Sequence, residues 1–139
     1  MPLRDGYELH PIAPSVDEYL TLRRSAGLSA KTTAQARGAI DHSWAFCHVR
    51  ERSSGAAVAM GRTLGDGGWY FHIADMATDP AHQRRGLGAA VLEWLIAQID
   101  ARAPANPYIS LLADAAGQPL YRRLGFVPTD SLGMVLRRS

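Results

Sequence analysis

The sequence predicts an α/β (α+β) protein with a mixed, mostly antiparallel central sheet of six to seven strands and about four helices on its faces. Three observations predict it. Between Trp44 and Thr78, three strand-like stretches follow one another, separated by Ser53-Ser54-Gly55 and Gly65-Asp66-Gly67-Gly68. Short turns between successive strands make an antiparallel meander. From Gly86 to Arg102 the apolar period becomes helical, and a strand-like run follows at Tyr108–Ala113. A strand, helix, strand succession in one sheet adds a crossover to the meander.

The elements follow in order. Tyr7 to Ile12 alternates as a first strand, closed by Pro11 and Pro14. Ser15 with Glu18 three residues on has the form of a capping box, which predicts a helix over Val16–Ala26 stopped by Gly27. A second helix fits Ala30–Asp41, with little amphipathic signal. In the strand Trp44–Arg52, Ala45, Cys47 and Val49 share one face, and Trp44, Phe46 and His48 share the other. Strands at Ala56–Leu64 and Trp69–Thr78 complete the meander. In the long helix, Leu87, Val91, Leu92, Leu95, Ile96 and Ile99 form a wide apolar face, and Glu93 and Asp100 mark a polar stripe. Tyr108–Ala113 is nearly continuously apolar, as in a strand covered on both faces. A short helix over Gln118–Leu124 tolerates Pro119 in its first turn and ends at Gly125. A last strand is predicted at Met134–Arg138, with a short extra one near Phe126.

Composition narrows the function classes. The chain has 139 residues, 47% hydrophobic and 20% charged, which suits one globular domain over residues 1–139. No apolar run reaches the roughly 20 residues of a membrane helix, and no secretory h-region follows Met1. Neither membrane association nor export is expected, and the cytoplasm is the simplest address. A net charge of +2 gives no reason to expect nucleic-acid binding. The single cysteine, Cys47, excludes an internal disulfide and reads as inert packing. The histidines show no metal-ligand spacing, so no metal is expected. No Gly-x-Ser-x-Gly elbow supports a serine hydrolase.

The chemistry is concentrated between Asp75 and Gly88. A strand ends there, a basic turn follows, and Gly86 and Gly88 open a helix. Free N–H groups and the positive dipole end at a helix start attract phosphate. Arg84 and Arg85 add charge, so a pyrophosphate is the natural guest. A P-loop is excluded because Ala89 and Ala90 stand where lysine and serine or threonine belong. A dinucleotide fingerprint is disfavoured by Val91 and by the seven residues from Asp79 to Arg85 between strand and glycines. Gln83-Arg84-Arg85-Gly86-Leu87-Gly88 instead satisfies the pattern Gln/Arg-x-x-Gly-x-Gly/Ala.

Downstream stands Leu120-Tyr121-Arg122-Arg123-Leu124-Gly125-Phe126. The two segments together resemble the GNAT superfamily of acetyl-CoA-dependent N-acetyltransferases, with Thr78 where valine is commoner. The resemblance is strong from about Asp75 to Phe126 and weak before Trp44. It implies a strand that splays from its neighbour, so that Met76, Ala77 and Thr78 pair with the pantetheine arm. It implies that the turn led by Gln83 holds the pyrophosphate on the amides of Arg84, Arg85, Gly86, Leu87, Gly88 and Ala89. Asp114 occupies a position where relatives often carry an asparagine that touches the cofactor; capping the next turn is an equal alternative. Tyr121 stands in the position of the general acid, with a packed aromatic as the alternative. Asp75 and His72 are the candidate bases, and a water remains open.

The implied reaction moves an acetyl group from acetyl-CoA to a primary amine of a small molecule or peptide. The competing class is a non-catalytic module that holds an acyl-CoA as a sensor or scaffold. The residues do not name the acceptor, and a homodimer follows only by analogy with the family.

Overall fold

The computed structural model describes residues 2–138. Five strands form one sheet in the order β1-β2-β3-β4-β5: Tyr7–His10, Ala45–Glu51, Ala57–Gly65, Tyr70–Thr78 and Tyr108–Leu111. The first four pair antiparallel, and β5 joins β4 in parallel. Between β1 and β2 lie α1 (Val16–Ser25) and α2 (Thr33–His42). Between β4 and β5 runs α3 (Leu87–Arg102), and α4 (Gln118–Arg123) follows β5.

The helices start where the sequence supplies caps. Ser15 and Glu18 form the predicted capping box on α1. A second box, Thr32 with Gln35, starts α2 at Thr33 rather than at the predicted Ala30. Its signature, threonine followed three residues later by glutamine, is present in the sequence.

Each sheet face is covered. On one side α3 buries Leu87, Val91, Leu92, Leu95 and Ile99 against Ala45, Cys47, Val49, Phe71 and Ile73. On the other, Tyr19 and Leu22 of α1 and Ala36 of α2 cover Phe46, Met60 and Ala77. The predicted alternation along β2 therefore holds for Ala45, Cys47 and Val49 against Phe46. Trp44 departs from it: its ring lies 4.9 Å from Phe71 on the α3 side, with the Arg102 guanidinium 3.9 Å above it.

The strand count is five, not six to seven. Neither Met134–Arg138 nor the segment near Phe126 forms a ladder. Strand-forming composition is realised only beside a partner strand, and these residues have none: Met134, Val135 and Leu136 are 77–85% exposed. Tyr108–Leu111 is likewise not covered on both faces. It is the sheet's edge, partly exposed throughout, with Tyr108 at the surface.

Candidate active site

The sheet opens at the middle of β4. Tyr70 to Ile73 pair with Tyr108 to Leu111, and the pairing stops there. From Ala74 to Thr78, β4 keeps only its β3 neighbour, in pairs such as Met60–Ala77 and Ala59–Thr78. An irregularity sits at the opening: β3 advances from Met60 to Arg62 while β4 moves from Ala77 to Ala74. The extra β4 residue is a bulge, which bends its strand. Asp75, at φ 54°, takes the left-handed turn that the bulge needs, a conformation aspartate tolerates better than most residues. Gly61 lies opposite, where an added Cβ would come within 2.5 Å of the Met76 sulfur and 2.7 Å of Val91. Nothing in the strand alternation announces this bulge.

The bulge aims Asp75 into a polar cluster. Its carboxylate accepts hydrogen bonds from the Tyr19 hydroxyl, from the Arg23 guanidinium and from Arg62 Nε, the last at 2.7 Å. The Asp75 side chain is only 6% exposed. Burial pushes its pKa up, but the Tyr19 hydroxyl and the Arg62 and Arg23 charges outweigh burial and leave it below the ordinary aspartate value. Tyr19, buried and facing this carboxylate, is pushed up to about 12. Sequence reasoning found Asp75 but none of its partners, which come from α1 and β3.

His72 lies on the paired half of β4. Its Nδ1 is 3.0 Å from Ser110 Oγ, and that hydroxyl donates to the Phe71 carbonyl at 3.4 Å. The serine hydroxyl thus links the imidazole to the β4 backbone. Burial, aided by the Arg62 charge, lowers the His72 pKa, so the ring is neutral near pH 7.

Beyond Thr78, Asp79 caps a 3-10 turn, Pro80–His82. The chain then passes through two left-handed residues, Arg84 at φ 63° and Gly86 at φ 77°, into α3. Gly86 is the N-cap and offers no side chain to the helix start. The first helical bond runs from Ala90 N–H to the Gly86 carbonyl. Among the described residues, the amides of Arg84 to Ala89 donate to no protein acceptor. Such a run of aimed N–H groups at a dipole's positive end is an anion cradle. Gln83 is the C-cap of the 3-10 turn. The Arg85 side chain turns away to the Tyr7 hydroxyl at 2.5 Å, which also contacts His82 Nδ1 at 2.8 Å. Arg85 thus ties the cradle to β1.

The α4 motif meets the cradle at Gly88. A Cβ there would sit 3.4 Å from Leu120 and 3.8 Å from the Thr78 hydroxyl. The end of β4, the start of α3 and α4 therefore converge. Beside Leu120, Tyr121 packs edge-on against Phe126 at 6.2 Å. Its hydroxyl has no protein partner among the described residues. Burial and the Asp114 charge raise its pKa above the usual 10. Asp114 Oδ1 accepts from the Gly117 amide at 3.0 Å, and its carbonyl accepts from Gly117 and Gln118. Asp114 therefore caps the turn that leads into α4. Gly117 is a residue the sequence reading missed: a Cβ there would meet the Tyr121 ring at 2.6 Å and its hydroxyl at 2.9 Å. The glycine makes room for the tyrosine.

Among the described residues, no group of His, Cys, Asp and Glu side chains could hold a metal ion, and no helix is long and apolar enough to cross a membrane.

Comparison with known proteins gives the same family from several directions. The chain is 32% identical over 126 residues to the chloroplastic GCN5-related N-acetyltransferase 1 of Arabidopsis thaliana, covering 89% of this chain and 63% of that protein. It is 40% identical over 72 residues to the ribosomal protein bS18-alanine N-acetyltransferase of Escherichia coli, covering 51% and 47% of the two. It thus spans about three fifths or less of the length of these curated relatives. A crystal structure from methicillin-resistant Staphylococcus aureus, described as a probable acetyltransferase of unknown function, superposes with a TM-score of 0.88. That match has 29% identity and covers 95% of this chain and 99% of the other. Residues 43–128 match the acetyltransferase (GNAT) domain, and the chain belongs to the GNAT acetyltransferase family.

Proposed function

We propose that this protein transfers an acetyl group from acetyl-CoA to a primary amine of a small molecule or peptide. The observation that carries the reading is the run of free amides from Arg84 to Ala89, set against the unpaired half of β4 and met at Gly88 by Leu120, the neighbour of Tyr121 on α4. The cradle suits a pyrophosphate. The open edge at Met76, Ala77 and Thr78 suits an extended, amide-bearing arm, which would add to β4 like a strand. Coenzyme A carries both groups in that order.

The amine lone pair attacks the thioester carbonyl carbon. The C–N bond forms and the carbonyl electrons move to oxygen, where a backbone N–H near Thr78 can stabilise them. As the carbonyl re-forms, the C–S bond breaks and the sulfur takes a proton from Tyr121. Its raised pKa keeps that hydroxyl protonated throughout the working range. The amine's own proton needs an acceptor. Asp75 is poorly suited, since its carboxylate is committed to three donors and held below its ordinary pKa. His72 is better suited: burial lowers its pKa, so the ring is neutral and one ring nitrogen carries a lone pair. It takes the proton directly or through a water. The tyrosine hydroxyl without a structural partner favours this reading over a non-catalytic acyl-CoA module.

The test is a panel of amines, including peptides with free N-termini, incubated with acetyl-CoA and scored by release of coenzyme A thiol. Amine-dependent release together with an acetylated product is expected. Tight coenzyme A binding without turnover on any amine would favour the sensor.

A further inference from the structure

The helices α1 and α2 cover their face of the sheet unevenly. They pack on Phe46, Met60 and Ala77, and leave bare a corner where β3, β4 and β5 run side by side. Strand alternation turns Phe71, Ile73 and Ile109 toward α3 and puts Leu64, Tyr70, His72, Tyr108 and Ser110 on the bare face. Leu64, Tyr70 and Tyr108 are 37–45% exposed. In register, His72 stands between Leu64 and Ser110, and Tyr70 beside Tyr108. The Tyr70 and Tyr108 rings lie 5.3 Å apart, and Trp69 joins them at 5.3 and 6.5 Å.

The other end of the corner is cationic. Arg62 gives Nε to Asp75 and Nη1 to Ser43 Oγ at 3.2 Å, while its Nη2 meets no acceptor among the described residues. Arg23 and Arg62 share the one carboxylate of Asp75, so the cluster keeps a positive charge, and that of Arg62 is felt at His72. At the aromatic end, Asp66 is committed to the amides of Gly68, Trp69 and Tyr70.

We propose that this corner is the acceptor subsite and that it takes a free aromatic α-amino acid, with its amine at His72, its carboxylate on Arg62 Nη2 and its ring on Tyr70 and Tyr108. The proposal rests on the acetyl-transfer reading. An arm lying along Met76–Thr78 brings its thioester to the fork beyond Ile73, beside His72. Since α3 packs on the opposite face there, the amine must arrive over the bare corner. Tyr70 and His72 are separated by roughly 7 Å along the strand, which matches the step from amine to ring in such an acid. The surplus charge suits a carboxylate, repels a second ammonium and favours the neutral, reactive form of the amine.

The test compares kcat/KM for L-phenylalanine, its amide, phenethylamine, L-alanine and spermidine by release of coenzyme A thiol. Phenylalanine should lead the amide and phenethylamine by about ten-fold, the worth of one charged hydrogen bond, and should also lead alanine and spermidine. Arg62→Gln should erase its lead over phenethylamine. Tyr70→Ala should raise KM for phenylalanine about five-fold or more and narrow its lead over alanine. Calorimetry and amide chemical shifts on coenzyme A-loaded wild-type protein read the same site without turnover: phenylalanine should bind and move Tyr70, His72 and Tyr108. Binding there without thiol release from any amine would sink the transfer reading and leave the site standing. Thiol release with no preference for the free acid, a preference that survives both variants, or the absence of phenylalanine binding overturns the proposal.

Discussion

The chain on either side of Pro104 behaves as two different materials. Before it, both sheet faces are packed, and every buried residue lies between Tyr7 and Ile99. After it, no described residue is buried. Yet this second region supplies β5, the helix with Tyr121 and the free arm. The family motifs straddle the boundary, with the anion cradle on the packed side and the proposed acid on the loose side. Stability is thus concentrated in the first stretch while the proposed chemistry draws on both, and mutations should separate the two regions.

The largest expected effect lies in the loose region and should leave the fold untouched. Tyr121→Phe keeps the ring against Phe126 and removes the hydroxyl. Turnover should fall about 10²–10⁴-fold, the usual worth of general acid help, with little change in coenzyme A affinity or melting temperature. Wild-type turnover in this variant would leave Tyr121 as packing only.

Asp75→Asn is the opposite experiment. It strands two guanidinium groups in the packed region, and breaking such a buried pair costs about 3–5 kcal/mol. Denaturant unfolding should report that loss. The sign of the pH dependence follows from the same group. Its folded pKa is lowered, and that of Glu18, held mainly by Arg50, is lowered to about 2. The stability they contribute is present above the ordinary carboxylate values of about 4 and is lost as pH falls through the lower folded values. The wild type should lose stability below about pH 4, and the Asn variant should show a shallower acid slope. An Asn variant as stable as wild type would show that the arginines do not need the carboxylate.

Gly88→Val probes the seam between the regions. Its methyl groups would press on Leu120 and narrow the approach to the amides. Coenzyme A affinity by calorimetry should fall roughly ten-fold or more, equivalent to about 1.4 kcal/mol. Unchanged affinity in the folded variant would remove the pyrophosphate role from this turn. Gly117→Ala should be milder. The Tyr121 ring must shift to admit the new Cβ, so turnover should drop about ten-fold, below the 10²-fold expected for a full 1 Å misplacement. Stability should change by less than about 1 kcal/mol, because the ring is only partly buried. A large stability loss here would show that the loose region is tighter than its exposure suggests.

Much of the packed region was legible in the sequence. The meander, the wide apolar face of α3 and the Ser15 box depend on periodicity and capping, which are local properties. The glycine turn into α3 was legible too, because glycine spacing next to a strand end is a local pattern. The bulge at Asp75 was not. It depends on register between β3 and β4, and an extra residue in one strand leaves no mark on that strand's own composition. The Tyr19, Arg23 and Arg62 cluster was hidden for a related reason: it joins Asp75 to residues 13, 52 and 56 positions away, on β3 and α1. The final strand was expected from residues that do favour β structure, but pairing is a property of two strands, and the chain places no second one beside them.

Cys47 is fully buried, its thiol pushed up to about 12 by desolvation, and its sulfur sits 3.9 Å from the Val91 carbonyl. For the proposed transfer from a thioester, this placement bears on self-damage. A surface thiolate would exchange with acetyl-CoA and accumulate an acetylated enzyme, because thiolates are strong nucleophiles toward acyl carbon. Sealing the only sulfhydryl in the α3-side core leaves no competing acceptor of that kind on the chain. In the proposed reaction, a thiol that appears during turnover then belongs to the leaving group and not to an exposed cysteine.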